Sequence, residues 1–578
     1  MAGYFRAIAL DYDGTITDGD VPGEELLAAV GESRRLGRKA ILVTGRILEE
    51  LWDVFPAADA WFDAIVGENG CVVSIGGATR VLAAPVELEL DEVLVARGVP
   101  FRRGQVLLAT HAVHEAEVTE EIRRLRLECQ LIRNRGALMV LPPGVSKGFG
   151  VYQALGDLGV SHHSAVAVGD AENDHSLLRG CELGVAVADA VDSLKRHADL
   201  VLDKPGSAGV AEFLRGPLLS GEAPMEPRRW QIDLGTFADG ARARIPASQI
   251  NVLITGRSSS GKSALAGMLA EQLIELGYSL CIVDPEGDYT PLGRLRGTLH
   301  LGGANGLPRP EQVGRFIEHR FGSLLLDLSL TEPGDRASYV PPLLAQLEAE
   351  RRATGLPHWI LLDEAHHLRA PPALEADGSA KGLCLVTYRP DELGEALRGS
   401  IDVVLALAGG KGPEHGERDP LEALEAIYGL ELGSWGDGSP DQVLLARPKV
   451  GPAVRAFTMR PRKTQHVRHW HKYFGGVLPA SLHFQFRAES GEPRHVGGNV
   501  EELHRILLIC GPDVIRFHTR RADLSRWLRK AIHDPDLARA VSELERNFLT
   551  TPQRDDDAET LRFALVRAIE QRYLDSAS

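Results

Sequence analysis

The stretch "IALDYDGTITDGD", residues 8–20, decides the fold of the first part of the chain. Its apolar start is typical of a buried strand, and its acidic end is typical of a loop that leaves a sheet edge. Ligands of open α/β sheets bind at that edge. Asp11 and Asp13 would lie there, and Gly14 would allow the tight turn behind them. Two carboxylates at this spacing can divide the labour of phosphoryl transfer, one as nucleophile and one as acid or base.

Two later stretches supply groups that can hold a phosphate at the same edge. "AILVTGR", residues 40–46, ends an apolar run in Thr44 and Gly45, and the threonine hydroxyl and the following amides can bind a phosphate oxygen. "LPPGVSKG", residues 141–148, supplies Lys147, a point cation for the same phosphate. We therefore expect a phosphate-binding site, with Thr44, Gly45 and Lys147 around it.

A third stretch, "VAVGDAENDHSLL" at residues 166–178, ends another apolar strand in Asp170 and Asp174. Carboxylate oxygens are hard ligands and suit Mg²⁺. Around these stretches, residues 1–215 alternate apolar strands with amphipathic helices, which predicts an α/β domain with a parallel sheet.

The four stretches closely resemble the haloacid dehalogenase (HAD) superfamily of phosphatases over nearly all of residues 4–215. The resemblance is to the sugar-phosphatase branch, which "IVGENGCVV" (65–73) and "GVAVADAVDSLKRHADLVL" (184–202) also match. It implies a Rossmann-like parallel sheet with an inserted α+β cap at about residues 83–143. In that branch the cap selects the substrate.

The same resemblance implies a role for each candidate residue. Asp11 is the nucleophile that forms an aspartyl-phosphate, and Asp13 is the general acid/base. Thr44, Gly45 and Lys147 bind the phosphoryl group, with Lys147 also counted as catalytic. The implied Mg²⁺ ligands are Asp11, Asp13 through its carbonyl, Asp170 and, in a supporting place, Asp174.

A second phosphate motif follows in "NVLITGRSSSGKSAL", residues 251–265, which reads as a strand, a GxxxxGKS loop and a helix start. The loop amides would cradle phosphates, Lys262 would reach the outer ones and Ser263 would bind Mg²⁺. The residues expected to bind ATP here are Gly256, Ser260, Gly261, Lys262, Ser263, Ala264 and Asp363.

The acid pair of this motif lies in "HWILLDEAHHL", residues 358–368. Asp363 would hold Mg²⁺ through water, and Glu364 is placed to polarise the attacking water and counts as a catalytic candidate. A kinase gains nothing from a carboxylate that activates water. Glu364 therefore favours nucleotide hydrolysis over a fused kinase and phosphatase.

Residues 230–460 resemble the HerA/FtsK group of ATPases in "GRSSSGKS", "IVDPEGDY", "SLLLDLS" and "LLDEAHHLRAP". Such ATPases are commonly hexameric rings that pump DNA. Two departures count against a motor: Tyr388 follows Thr387 where the group has Gln, and Ser259 replaces a frequent Gly. The resemblance implies ATP and Mg²⁺ as ligands and leaves a homo-oligomer open.

The rest of the chain gives a linker and a basic region. Residues 216–228 have the Gly and Pro content of a linker, 229–462 form the predicted P-loop domain, and 463–550 form a basic, mainly helical or α+β domain. Residues 551–578 read as a closing helix. The basic region resembles a small uncharacterised bacterial domain, which implies no activity. Three histidines, His466, His469 and His471, are candidate metal ligands, but nearby cationic side chains disfavour a metal there. Two arginines, Arg520 and Arg521, could bind an anion.

Composition narrows the class of protein. The chain has 578 residues and a net charge of −16, yet residues 451–550 hold 17 Lys and Arg against 10 Asp and Glu. The acidic body disfavours general nucleic-acid binding. Six scattered cysteines predict a reducing cytoplasm, and no apolar run reaches the length of a membrane span.

These patterns predict a cytoplasmic, Mg²⁺-dependent phosphomonoester hydrolase. Its substrate would be a sugar phosphate or another small phosphorylated metabolite, and an ATP-binding and ATP-hydrolysing domain would be coupled to it or regulate it. Two alternatives stay open. One is a nucleic-acid-processing ATPase whose phosphatase trims terminal phosphates, and the other is a nucleotide-gated scaffold with weak catalysis.

Overall fold

The structure is a computed structural model. It describes residues 4–17, 19, 21–134, 136–223, 229–257, 260–303, 306–320, 322–367, 381–407, 409, 418–431, 441–464, 478, 482–488, 490–532, 534–550 and 557–574. Two large sheets dominate the chain, and each has its own hydrophobic core.

The first large sheet has the strand order β12-β11-β10-β1-β2-β3-β4-β5. Its strands run parallel from β12 to β3, and β4 and β5 add an antiparallel edge. The elements in chain order are β1 (Ala7–Asp11), α1 (Glu24–Arg35), β2 (Lys39–Val43), α2 (Leu48–Val54), α3 (Ala58–Trp61), β3 (Ala64–Gly67), β4 (Val72–Ile75), β5 (Ala78–Val81), α4 (Leu88–Ala96), β6 (Phe101–Arg103), β7 (Leu108–His111), α5 (Glu115–Leu125), β8 (Gln130–Asn134), β9 (Ala137–Leu141), α6 (Lys147–Asp157), β10 (Ala165–Gly169), α7 (His175–Arg179), β11 (Leu183–Ala186), α8 (Asp192–Lys195), β12 (Leu200–Val201), α9 (Gly206–Arg215) and α10 (Pro217–Ser220).

An insertion between β5 and α6 forms a separate small layer. Strands β6 to β9 make a four-stranded antiparallel sheet in the order β6-β7-β9-β8. Helices α4 and α5 pack on it around a core that includes Leu90, Leu108, Val118 and Val140. The domain limits proposed from the sequence stay predictions.

The second large sheet has the strand order β14-β13-β23-β22-β21-β15-β20-β19-β16-β18-β17. Strands β21 to β17 of that order are parallel, and β14, β13, β23 and β22 extend the sheet in antiparallel fashion. The elements are β13 (Gln231–Phe237), β14 (Arg242–Pro246), β15 (Val252–Gly256), α11 (Lys262–Glu275), β16 (Leu280–Asp284), β17 (Thr298–Gly302), α12 (Pro310–Arg320), β18 (Ser323–Asp327), α13 (Pro333–Thr354), β19 (Trp359–Leu362), β20 (Leu383–Thr387), α14 (Glu395–Ser400), β21 (Val403–Leu407), α15 (Pro420–Tyr428), β22 (Gln442–Ala446) and β23 (Val454–Met459).

The C-terminal region combines one hairpin with a group of helices around a single core. Leu524 and Leu528 are buried in that core and Trp527 packs against it. The elements are β24 (Phe484–Arg487), β25 (Pro493–Gly497), α16 (Val500–Ile509), α17 (Pro512–Thr519), α18 (Asp523–Lys530), α19 (Pro535–Thr550) and α20 (Asp557–Ile569).

Buried apolar runs explain the parallel strands of both large sheets. Every residue of β1, β10, β15 and β16 is buried, because helices cover both faces of a parallel sheet. The prediction of an α/β first domain with a parallel sheet is confirmed. Within the described part of the chain, none of the helices has the length and apolar character needed to span a lipid bilayer.

The two large sheets meet at one buried interface, which we call the joint. Its members lie just before strands of the two sheets, just after α11 or β14, or in the last turn of α13. The joint consists of Arg6, His163, Ser164 and Glu182 on one side, and of Trp230, Ser248, Leu276, Tyr278, Arg351 and His358 on the other. The amino ends of the parallel strands in both sheets thus face each other.

Candidate functional site

Asp11 and Asp13 stand at the carboxyl end of β1, at the centre of the first sheet. Asp11 is the last residue of this strand and is buried, whereas Asp13 lies in the following turn and is partly exposed. The turn closes with a hydrogen bond of 2.8 Å from the Gly14 N–H to the Thr17 carbonyl. Gly14 has a φ of 85°, which lies in the left-handed region that glycine tolerates.

Three carboxylates meet at this edge. Asp11, Asp170 and Asp174 are buried, and each offers an oxygen within 4.8 Å of the others. Asp170 follows β10, the strand beside β1, so its place is set by the sheet. Asp174 is fixed because its Oδ2 accepts hydrogen bonds of 3.0 Å from the backbone N–H groups of Asp170 and Ala171.

Lys147 at the start of α6 lies between two of these carboxylates. Its Nζ is 2.5 Å from Asp11 Oδ1 and 2.7 Å from Asp174 Oδ1, and its side chain is buried. Burial lowers the pKa of Lys147, but the two carboxylates outweigh burial and the net shift is upward. Burial and the neighbouring Asp174 raise the pKa of Asp11 well above its usual range, despite Lys147. Lys147 therefore stays a cation here.

The charges of this cluster fit a divalent cation. Asp11, Asp170 and Asp174, when ionised, outnumber the single ammonium of Lys147, so the buried cluster has a surplus of negative charge. Buried charge of this kind is costly unless it is neutralised. Three convergent carboxylates also suit the oxygen preference of Mg²⁺. The residues present therefore fit this metal.

Two side chains at the cluster were not predicted from the sequence. The Thr15 hydroxyl is 3.2 Å from Asp11 Oδ2 and 3.1 Å from Asp170 Oδ1, so it ties two carboxylates together. The Arg46 guanidinium holds Asp13, with Nη2 2.6 Å and Nε 3.1 Å from its Oδ1. Both residues lie within the motif stretches themselves, two and one positions beyond the residues that were chosen.

Thr44 and Gly45 lie at the end of β2, beside β1. The Thr44 side chain is buried, and its Oγ1 accepts a hydrogen bond of 3.0 Å from the Arg46 backbone N–H. A Cβ on Gly45 would stand only 3.3 Å from the sulfur of Met139 in β9. The small antiparallel layer thus approaches the predicted phosphate site at Gly45.

Glu68 fastens that small layer to the first sheet. It is fully buried at the end of β3, and its carboxylate accepts hydrogen bonds from three successive backbone N–H groups, those of Gln105 (2.8 Å), Val106 (2.8 Å) and Leu107 (3.0 Å). Its φ of 51° lies in the left-handed region, so the backbone is strained to aim this side chain. Glu68 lies in the stretch "IVGENGCVV" (65–73), which matches the family pattern, but the sequence predicted no role for this residue.

The second candidate site lies at the end of β15. Lys262 Nζ donates to the carbonyls of Gly256 (3.2 Å) and Arg257 (3.1 Å), so it curls back into its own loop. Gly256 and Gly261 have φ values of 150° and 103°, which the curve of the loop requires. Ser263 and Ala264 open α11 and are partly exposed, Ser260 is buried with its hydroxyl unpaired, and Ser259 lies outside the described residues.

The acid pair follows β19, two strands from β15. Burial and the adjacent Glu364 raise the pKa of Asp363 well above its usual range. Glu364 Oε2 is 3.5 Å from Nδ1 of the buried His366, and this Nδ1 also lies 3.0 Å from the Thr387 hydroxyl of β20. The sheet order thus places Thr387 near the acid pair. The His366 imidazole, which was not predicted from the sequence, lies between Thr387 and Glu364.

Tyr388 lies beside the predicted phosphate lysine. The centre of its ring is 6.0 Å from Lys262 Nζ and 4.5 Å from the ring of His366. The residue that departs from the ATPase pattern is therefore part of this site. In the basic region, Arg521 packs on the ring of Phe517, and both Arg520 and Arg521 are exposed. His466, His469 and His471 lie outside the described residues.

Comparison with known proteins assigns the first part of the chain. A family model described as haloacid dehalogenase-like hydrolase matches residues 105–214. The phosphoglycolate phosphatase of Methanothermobacter thermautotrophicus is 32% identical over 221 residues, which are 36% of this chain and 97% of that protein. The phosphoglycolate phosphatase of Pyrobaculum aerophilum is 30% identical over 227 residues, 38% of this chain and 97% of that protein.

A solved haloacid dehalogenase-like hydrolase of Bacteroides thetaiotaomicron is 19% identical, with a TM-score of 0.32, and the match covers 36% of this chain and 98% of that one. On the evidence of the two phosphatases, the chain belongs to the HAD superfamily and carries a phosphatase of that class. The family predicted from the sequence is confirmed. The likeness to HerA/FtsK ATPases stays a prediction.

Proposed function

We propose that the chain is an Mg²⁺-dependent phosphomonoester hydrolase that works through an aspartyl-phosphate on Asp11. The observation that carries this proposal is the buried cluster in which Lys147 reaches both Asp11 and Asp174 at the carboxyl edge of the sheet. Mg²⁺ would be held by Asp11, Asp170 and the Asp13 carbonyl, with Asp174 in support. When bound, it neutralises charge on the transferring phosphoryl group.

The proposed reaction has two displacements. An Asp11 carboxylate oxygen attacks phosphorus, the bond from phosphorus to the ester oxygen breaks, and Asp13 gives a proton to the leaving alcohol. Asp13 then takes a proton from water, whose oxygen attacks the aspartyl-phosphate, so that inorganic phosphate leaves and Asp11 is restored. Lys147 and the amides after Thr44 stabilise the phosphoryl oxygens. Arg46 keeps the Asp13 carboxyl in place for both proton transfers.

The proposed substrate is a small phosphorylated metabolite. The curated relatives are named phosphoglycolate phosphatases, and the family branch inferred from the sequence acts on sugar phosphates. The small antiparallel layer that reaches Gly45 through Met139 would close over the leaving group and exclude larger ones.

A substrate screen tests the phosphatase proposal. Phosphate release is measured from phosphoglycolate, hexose phosphates, nucleotides and DNA with terminal phosphates, each with Mg²⁺ or with EDTA. Wild type should act on a small metabolite only when Mg²⁺ is present, and Asp11→Asn should lose at least about a thousand-fold in kcat. The matched control is Asp59→Asn, an exposed carboxyl on α3. Turnover of the best substrate by Asp11→Asn at the wild-type rate would exclude Asp11 as nucleophile.

We infer that the second sheet carries an ATP site that sets the rate of the phosphatase. Support comes from the loop between Gly256 and Lys262, which has the backbone turns that a phosphate cradle needs. The Lys262 ammonium donates hydrogen bonds to loop carbonyls, and the oxygens of a bound phosphate would replace these carbonyls as acceptors. Asp363 and Ser263 would hold Mg²⁺ there. Equilibrium binding of a fluorescent ATP analogue to wild type and to Lys262→Ala tests this site, and equal affinities would exclude it.

A further inference from the structure

The joint lies on the side of each sheet that is opposite to its candidate site. β1 begins one residue after Arg6 and ends at Asp11, and β10 begins one residue after Ser164 and leads to Asp170. In the second sheet, His358 precedes β19, which leads to Asp363. The phosphatase cluster and the predicted ATP loop therefore face away from each other.

Several contacts that cross the joint are hydrogen bonds, and they are buried or partly buried. The Arg6 guanidinium donates to the Arg351 carbonyl at 3.0 Å, and the Ser164 hydroxyl lies 3.4 Å from His358 Nε2. The Trp230 indole N–H donates to the Glu182 carbonyl at 3.1 Å. β1 and β10, the two strands of the first sheet that lead to metal-binding candidates, thus each begin one residue after a residue that contacts the other side of the joint.

The Glu182 carboxylate is the centre of the joint. It is fully buried, and it accepts hydrogen bonds from the Tyr278 hydroxyl at 2.9 Å and from the Ser248 hydroxyl at 2.5 Å. His163 Nδ1 lies 2.7 Å from the same carboxylate, and His163 Nε2 donates to the Leu276 carbonyl at 2.9 Å. The His163 and Tyr278 rings stack with their centres 3.7 Å apart.

Helix α11 connects the predicted ATP loop to this centre. It starts at Lys262 and ends at Glu275, so its 14 residues span about 21 Å. Leu276 directly follows its last residue and Tyr278 comes two residues later, and these two residues bond to His163 and Glu182. A helix is stiff along its axis, so a shift of the Lys262 backbone towards a bound phosphate would move these two residues as well.

We propose that α11 is the element through which ATP controls the phosphatase. Binding of ATP would draw the amino end of α11 towards the phosphates, and Leu276 and Tyr278 would carry the shift to His163 and Glu182. From His163 the displacement would pass along β10 to Asp170 in the metal site. This inference rests on the proposed ATP site and names how that site acts. Coupling of this kind amounts to about 5- to 150-fold in typical allosteric proteins.

Tyr278→Phe tests the route, because it removes the hydroxyl that reaches Glu182 and keeps the stacked ring. The matched control is Tyr428→Phe, whose hydroxyl donates to the Arg398 carbonyl at 3.2 Å within the second domain. ATP affinity and the rate of para-nitrophenyl phosphate hydrolysis with and without ATP are measured for wild type, both variants and Lys262→Ala. Thermal unfolding checks that each full-length variant is folded.

We expect ATP to change the wild-type rate of para-nitrophenyl phosphate hydrolysis several-fold, and to change the rate of Tyr428→Phe by the same factor. Tyr278→Phe should bind ATP and keep the basal rate, but its response to ATP should fall towards none. A full response in Tyr278→Phe overturns the route, and so does a response that persists in Lys262→Ala. If the wild type binds ATP but its phosphatase rate does not change, the coupling through α11 is wrong and the proposed ATP site stands. If the wild type does not bind ATP, both the coupling and the proposed ATP site are wrong.

Hydrogen exchange supplies a second measurement that does not depend on catalysis. If α11 transmits the binding event, ATP should alter the exchange of backbone amides in β10 of the wild type and leave those of Tyr278→Phe unchanged. An identical response of the β10 amides in both proteins would contradict the route even if Tyr278→Phe has a lowered basal rate.

Discussion

At the scale of single residues, the phosphatase cluster depends on one ammonium between acids. Lys147 is the cation that the described cluster supplies against Asp11 and Asp174, and all three are buried. A buried charge that loses its partner is far more costly than an exposed one. Lys147 is therefore expected to stabilise the site as well as the phosphoryl group of the substrate, and the two effects can be measured separately.

Lys147→Ala should lower both the rate and the stability. Loss of a cation from the transferring phosphoryl group should reduce kcat by about 100- to 1,000-fold. The unpaired carboxylates should reduce the free energy of unfolding by about 3–5 kcal/mol without Mg²⁺, and by less with it. Steady-state kinetics and denaturant unfolding with and without Mg²⁺ provide the readouts. Lys204→Ala, at an exposed lysine paired with Glu212, is the control, and unchanged kinetics in Lys147→Ala would remove it from the site.

Glu364→Gln and Lys262→Ala should separate nucleotide binding from hydrolysis. Lys262 would contact the bound phosphates, so its loss should weaken ATP binding. Glu364 would act on water, so Glu364→Gln should bind ATP like wild type and fail to hydrolyse it. Calorimetric titration and phosphate release distinguish the two. Equal loss of affinity in both variants would mean that Glu364 serves the structure and not the reaction.

At the scale of elements, the two candidate sites could be predicted because each stands at the end of a continuously apolar run. Such runs are typical of strands buried on both faces, so β1, β10, β15 and β19 and the acids after them could be located. The side chains that contact these acids, Thr15, Arg46 and His366, could not be predicted. Their contacts depend on how elements distant in the sequence pack together. The alternating, half-buried β13 and β14 likewise gave no strong signal.

Glu68→Gln should loosen the attachment of the small antiparallel layer. The carboxylate of Glu68 accepts three backbone hydrogen bonds, and the neutral amide is a weaker acceptor with one oxygen fewer. We expect faster hydrogen exchange at the amides of residues 105–107 and a lower melting temperature. Glu49→Gln is the control, because the exposed Glu49 carboxylate accepts a hydrogen bond of 3.3 Å from the Gln105 side chain and not from these backbone amides. Unaltered exchange at these amides would show that the layer is held by its apolar contacts.

At the scale of the whole molecule, the phosphatase should fold without the second sheet. The two phosphoglycolate phosphatases compared above each match this chain over 97% of their own length, and these matches take up 36% and 38% of the chain. The first sheet also has its own core. Its buried joint face, however, would be exposed in isolation, and Glu182 would lose Tyr278 and Ser248.

A fragment of residues 1–223 should therefore keep a kcat close to that of the full chain, unfold at a lower temperature and lose any response to ATP. Activity assays and calorimetry on the fragment and the full chain provide the comparison. A fragment that folds but is inactive would mean that the second sheet completes the active site.

The back-to-back arrangement at the joint would also isolate the two proposed reactions from each other kinetically. Phosphate released at Asp11 would leave on the far side of the molecule from Lys262, so it would reach the proposed ATP loop only after mixing with the bulk solvent. The phosphate produced at one site would then be present at the other site only at its bulk concentration. A dependence of one rate on the other that does not follow the bulk concentrations of phosphate and nucleotide would then have to pass through the protein itself.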